Sequence, residues 1–86
     1  MKTLEDFQDQ VRAVLRDHAR LKQDVSGLCA DDDLYQFGMT SHASVNVMLA
    51  LEGEFEIEFP DHLLKRSVFE SIGAMRDTIS ELTKGA

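Results

Sequence analysis

The stretch Phe37–Leu51, FGMTSHASVNVMLAL, decides how this chain is read. A glycine and two adjacent hydroxyl residues, Thr40 and Ser41, stand immediately before a strongly apolar run, which is the signature of a helix start. Val47, Met48, Leu51 and Phe55 then recur at helical spacing, so the segment predicts a helix from about Ser41 to about Phe55. Taken by position alone, Ser41 reads as the cap of that helix. A second face, His42, Val45, Leu49 and Glu52, carries two apolar side chains that the first stripe does not require. Either the helix is apolar nearly all round, or Val45 and Leu49 are a docking surface.

Outward from this helix the chain stays helical in character. Leu4, Phe7, Val11, Val14, Leu15 and Leu21 keep the spacing of one helix face, with Thr3 placed to cap and Asp6 three residues on. The following segment, KQDVSGLCADDDLYQFG, loses that period and reads as a long loop pinned to the core by Leu28, Leu34, Tyr35 and Phe37. After the helix, FEIEF alternates like a strand but has no partner segment, so it reads as an extended link. Pro60 and Asp61 can open a short helix through Lys65, with Asp61 as its cap. Ser67-Val68-Phe69-Glu70 has the form of a capping box, and Phe69, Ile72, Met75, Ile79 and Leu82 follow as the last helical stripe, ending by Gly85. The expected core is Phe7, Val11, Leu15, Val47, Met48, Leu51, Phe55, Ile72 and Ile79.

Composition limits the functions open to the chain. Its 86 residues suffice for a single domain, residues 1–86, with one small core. Sixteen acids against nine bases give a net charge of −7, which repels a nucleic-acid backbone and favours a basic partner surface. The lone Cys29 fits a reducing cytoplasm and reads as a small, buried or half-buried apolar side chain. The acidic start and the lack of a long apolar run point away from export and from a membrane.

The usual reactive constellations are missing. A calcium loop opening at Asp31 would need glycine and glutamate where Gln36 and His42 stand. His18, His42 and His62 fall on separate elements, apart from Cys29, without zinc spacing, so no metal is expected. Ser41 and His42 are helix neighbours pointing about 100° apart, which rules out a nucleophile and base pair. A small helical domain has little room for an enclosed catalytic pocket, and the chain is not read as an enzyme.

The order helix, long loop, Gly-x-x-Ser at the start of an apolar helix, short helix after Pro-Asp, last helix resembles the acyl carrier protein family over nearly the whole chain. GMTSHASVNVMLALEGEFEIEFPD places Ser41, without a gap before Pro60, on the serine that carries 4′-phosphopantetheine in that family. Leu51-Glu52, Phe55 and Phe59-Pro60-Asp61 fall on further family positions. The resemblance implies an all-α four-helix bundle with a long first loop and a short third helix. It also implies a cofactor drawn from coenzyme A by a phosphopantetheinyl transferase.

Thr40 and His42 replace the aspartate and leucine usual around the serine, and Asn46 stands where fatty-acid carriers have an acid. The pattern is similar to the small stand-alone bacterial aminoacyl carriers. That similarity implies a small amino acid held as a thioester and loaded by an amino acid:[carrier protein] ligase related to class II seryl-tRNA synthetases, then passed to a downstream acceptor. The partner surface would comprise Thr40, His42, Val45, Asn46, Leu49 and Glu52 on a monomer. An acyl or peptidyl carrier of a fatty-acid, polyketide or nonribosomal peptide pathway, or an unmodified interaction domain, are the alternatives.

Overall fold

The computed structural model describes residues 3–84, and among them the regular structure is entirely helical. Four α-helices follow in order: α1 (Leu4–His18), α2 (Ser41–Phe55), α3 (Arg66–Phe69) and α4 (Ile72–Lys84). Single 3₁₀ turns at Val25–Gly27, Leu34–Phe37 and Asp61–Leu63 punctuate the links. This is the four-helix bundle expected, with its long first loop, but the short third helix is Arg66–Phe69 and not the segment from Pro60 to Lys65, which forms only a 3₁₀ turn at Asp61–Leu63.

α1 begins with the reciprocal cap that its sequence suggested: Thr3 Oγ1 accepts the N–H of Asp6 at 3.2 Å, and Asp6 returns the bond to the N–H of Thr3 at 3.1 Å. Glu5 and Asp6 in its first turn and Arg16 and His18 in its last complement the helix dipole. Phe7, Val11, Val14 and Leu15 form the buried stripe, while Leu21 lies beyond the helix end, half-buried against the core. α1 packs against both α2 and α4, and α3 packs against α4. Val11, Leu15, Leu34, Val47, Leu51, Ile72, Met75 and Ile79 are fully buried between them.

The long link is held by side chains rather than by a sheet. The Arg12 guanidinium donates to the carbonyls of Val25 at 2.8 Å and Leu28 at 2.9 Å. Asp24 caps the first 3₁₀ turn through the N–H and hydroxyl of Ser26, and these bonds hold its carboxyl below the usual carboxylate range. Asp33 caps the second turn through the N–H of Tyr35, and Asp32 accepts the N–H of Cys29. Two acids of the run, Asp32 and Asp33, are thus spent on turn geometry. Leu34 N–H then bonds the carbonyl of Glu70 at 2.7 Å, and Gly73 N–H that of Ala30 at 2.9 Å, tying the link to the last two helices. A Cβ at Gly73 would lie 3.2 Å from that same Ala30 oxygen, a tight approach that glycine relieves.

Several expectations are corrected. The box at Ser67 does not form. The chain turns between Phe69 and Ile72, which buries both Val68 and Phe69, and Ser71 caps α4 by accepting the N–H of Ala74 at 3.0 Å. Asp61 opens one 3₁₀ turn without capping it, since Pro60 occupies the cap position and has no side-chain donor or acceptor. Met48 and Phe55 are half-buried at the rim of the core, because the innermost face of α2 is Ala43, Val47 and Leu51. Phe55 meets Phe7 there, ring centroids 5.6 Å apart. Cys29 is exposed, because it sits in a turn whose apolar anchor is the preceding Leu28. Of the expected link FEIEF, Phe55 still belongs to α2 and Glu56 caps it at φ 54°, so only Ile57–Phe59 lie outside regular structure, with Phe59 buried against Phe69; the expected end by Gly85 lies outside the described residues.

Candidate functional site

The site is assembled by the turn that leads into α2. Gly38 closes the Leu34–Phe37 turn at φ +107°, a conformation that side-chain-bearing residues rarely adopt, and a Cβ there would also press 3.1 Å from Cγ of Lys22. Met39 is then buried, and Thr40 is extended with φ −95° and ψ 167°. Thr40 Oγ1 accepts the N–H of Ala43 at 3.0 Å. Thr40 is therefore the cap, and Ser41 is the first residue inside the helix.

This corrects the positional reading of Ser41 and frees its hydroxyl. Ser41 is exposed, its hydroxyl has no hydrogen-bond partner among the described residues, and its carbonyl accepts the Ser44 hydroxyl at 2.7 Å. The first turn of α2 carries no acid. A negative group attached to Ser41 would meet the unpaired N–H groups and the positive end of the helix dipole.

Ser41 borders an open groove of about 330 Å³ between α2 and the Leu64–Phe69 segment. Ser44, Val45 and Met48 form its α2 wall, and Leu64, Lys65, Arg66 and Phe69 the opposite one, with Tyr35 at the end. Arg66 lies 4.1 Å from the centroid of the Tyr35 ring and 3.8 Å from Asp33 Oδ2. On the other flank of α2, Thr40, His42 and Asn46 share a second recess with Arg20 and Gly38. No acid lines either recess, although acids outnumber bases sixteen to nine in the chain.

The residues singled out in the sequence are thus divided by the helix. Ser41 and Val45 face the first groove; Thr40, His42 and Asn46 face the second recess. Val45 and Leu49 are 49% and 56% exposed, so the second apolar stripe of α2 is an open surface. Glu52 is engaged within the chain: its carboxylate accepts the N–H of Phe59 at 2.9 Å, fixing the link that leaves α2. Leu64, Lys65, Arg66 and Phe69 were missed as neighbours of Ser41. They lie more than twenty positions downstream, and no periodic signal in the sequence joins them to it.

Among the described residues no group of three or more His, Cys, Asp or Glu side chains is placed to hold a metal ion, and no helix is long and apolar enough to cross a membrane.

Residues 9–82 match the family model described as a phosphopantetheine attachment site. An aminoacyl carrier protein of Agrobacterium fabrum is 41% identical over 75 residues, covering 87% of this chain and 90% of the relative. The fold is similar to a chain in the crystal structure of an engineered Bradyrhizobium japonicum glycine:[carrier protein] ligase complexed with carrier protein from Agrobacterium tumefaciens and ATP. That match has a TM-score of 0.84 at 40% identity, over 87% of this chain and 97% of the other. A solution structure from Agrobacterium tumefaciens matches with a TM-score of 0.73 at 40% identity, covering 91% and 94% of the two chains.

Proposed function

Since the chain belongs to the phosphopantetheine attachment family, whose cofactor is 4′-phosphopantetheine, we propose that Ser41 bears that group and that the protein carries an activated small amino acid. The observation that supports Ser41 most is its hydroxyl, which is exposed and unused because Thr40 has taken over the cap. The residues fit the group: an accessible nucleophilic oxygen, a helix start suited to a phosphodiester, and flanks without acids.

In the modification, the Ser41 oxygen would displace the adenosine-containing leaving group of coenzyme A at phosphorus. A transferase would take the serine proton. The bound group supplies a terminal thiol able to hold a carboxyl group as a thioester. The chain's own contribution is to present Ser41 and to be recognised. Chemistry belongs to its partners, so the protein acts as a carrier and not as a catalyst, in the cytoplasm.

An amino acid as cargo is supported by the 41% identity to an aminoacyl carrier protein. A loading partner of the glycine:[carrier protein] ligase type is supported by the likeness to a chain from such a complex. A further enzyme would accept the amino acid.

The deciding experiment is intact-mass analysis after incubation with coenzyme A and a phosphopantetheinyl transferase. One phosphopantetheinyl addition should map to the peptide containing Ser41 and vanish in Ser41→Ala. Mapping to Ser44, or no addition with several transferases, would overturn the assignment.

A further inference from the structure

Resting on the reading of Ser41 as the attachment point, we infer that Arg20, on the recess it shares with Thr40, His42 and Asn46, is a specificity-determining contact that receives a carboxylate side chain of the loading ligase. The recess holds about 330 Å³, and two of its residues, Thr40 and His42, flank Ser41 in the chain. Thr40, His42 and Asn46 are all exposed, so an enzyme that closes on Ser41 comes within reach of this flank.

Arg20 stands just past the Ala19 cap of α1, where helices commonly turn left-handed, and its φ is 53°. Glycine adopts that conformation freely and a residue with a Cβ does not, so the arginine is held there against a local backbone cost. Its side chain is exposed and makes no ion pair, hydrogen bond or ring contact among the described residues. Nothing inside the fold uses the guanidinium.

The polar side chains of the recess are rich in donors. Arg20 offers five N–H groups, Asn46 two and His42 at least one, and the Thr40 hydroxyl keeps its proton to give because Thr40 Oγ1 accepts at the cap. No acid lines it. Arg20 also borders a neighbouring recess with Arg16 and Lys22, whose one acid, Asp24, is taken up by Ser26, while Arg16 is already paired with Asp17 at 3.4 Å. A net charge of −7 draws in a basic surface from a distance, but this flank has the opposite sign and complements an acid. His42, Val45 and Leu49 follow helical spacing on α2, so a partner seated on the open apolar stripe meets the recess at its His42 end. A carboxylate placed there can take the bidentate pair that a guanidinium offers, and at an exposed rim such a pair sets orientation and partner choice more than raw affinity. The acid is assigned to the loading ligase, the partner that the likeness to a chain from a ligase complex supports.

The test compares wild type, Arg20→Gly, Arg20→Lys and Arg16→Gln, each converted to the holo form and checked by mass, as substrates of a glycine:[carrier protein] ligase. Glycine suits the left-handed backbone, so Arg20→Gly should melt at or above wild type and be modified by the transferase at the wild-type rate. Its loading kcat/KM should fall about tenfold at low salt, equivalent to about 1.4 kcal/mol, with kcat at saturating carrier little changed. Arg20→Lys should recover part of that loss, and Arg16→Gln, which removes the same charge one helical turn away, should load like wild type. Raising salt to about 0.3 M should slow wild type toward Arg20→Gly, since an exposed pair is screened. Wild-type loading of Arg20→Gly would overturn the inference. Equal slowing by Arg16→Gln would overturn it too, by showing that overall charge is what matters, as would equal slowing of the transferase, which would make the contact unselective. Absence of any modification at Ser41 would instead remove the reading beneath it.

Discussion

Thr40 Oγ1 accepts the N–H of Ala43 at 3.0 Å, and by doing so it separates two tasks that a serine at a helix start usually combines. The cap is one side chain and the free hydroxyl is the next. Thr40→Ala should cost about 1 kcal/mol of stability, the usual worth of a cap, whereas Ser41→Ala should lie within about 0.5 kcal/mol of wild type. Urea melts would measure both, and the modification assay should give the opposite ranking. Equal destabilisation by the two variants would place the cap on Ser41 after all.

The rim and the centre of α2 should respond differently to truncation. Leu51 is fully buried and Met48 half-buried, so Leu51→Ala should lose about 2–5 kcal/mol, near the total stability of a small domain, and Met48→Ala clearly less. Thermal unfolding followed by circular dichroism ranks them. A Met48 variant as damaging as that of Leu51 would mean that the groove side of α2 is the true core face.

Two glycines inside helices should have opposite signs. A Cβ at Gly73 would press on the Ala30 oxygen at 3.2 Å, a backbone atom already bonded to Gly73 N–H, so Gly73→Ala should destabilise by about 1–3 kcal/mol. Nothing lies within 4 Å of a Cβ at Gly53, so Gly53→Ala should stabilise by about 0.5–1 kcal/mol through helix propensity. Melting points moving in the same direction would contradict this assignment.

The open stripe of α2 carries a prediction about partners. Val45→Asp and Leu49→Asp place a charge in an apolar contact that would have to be desolvated without a partner. Loading by a glycine:[carrier protein] ligase should slow by about tenfold or more, equivalent to about 1.4 kcal/mol, with native helical content. Wild-type loading rates for both variants would show that this stripe is not where the ligase docks.

Local chemistry made much of this legible from the sequence. The Thr3–Asp6 box, the stripe of α1 and the Gly38-to-Ser41 start of α2 all involve residues within a few positions of one another, where spacing carries the information. Tertiary choices were not legible. Ser71, not Ser67, caps the last helix, beside a Glu70 whose carbonyl is taken by the distant Leu34 N–H, and Ala43, not Met48, joins Val47 and Leu51 on the innermost face of α2. Glu52 reads as a surface acid until the link folds back and its carboxylate takes the Phe59 N–H. The groove beside Ser41 pairs segments that only the folded chain brings together.

Tyr35 is the chain's one tyrosine, and there is no tryptophan. Half-buried beneath the Arg66 guanidinium at the end of the groove, it is the sole fluorophore excited near 280 nm in a protein of this composition. Its emission therefore reports a single location without a label, and that location adjoins Ser41. A change in the surroundings of that groove therefore becomes an optical signal readable in the unmodified sequence.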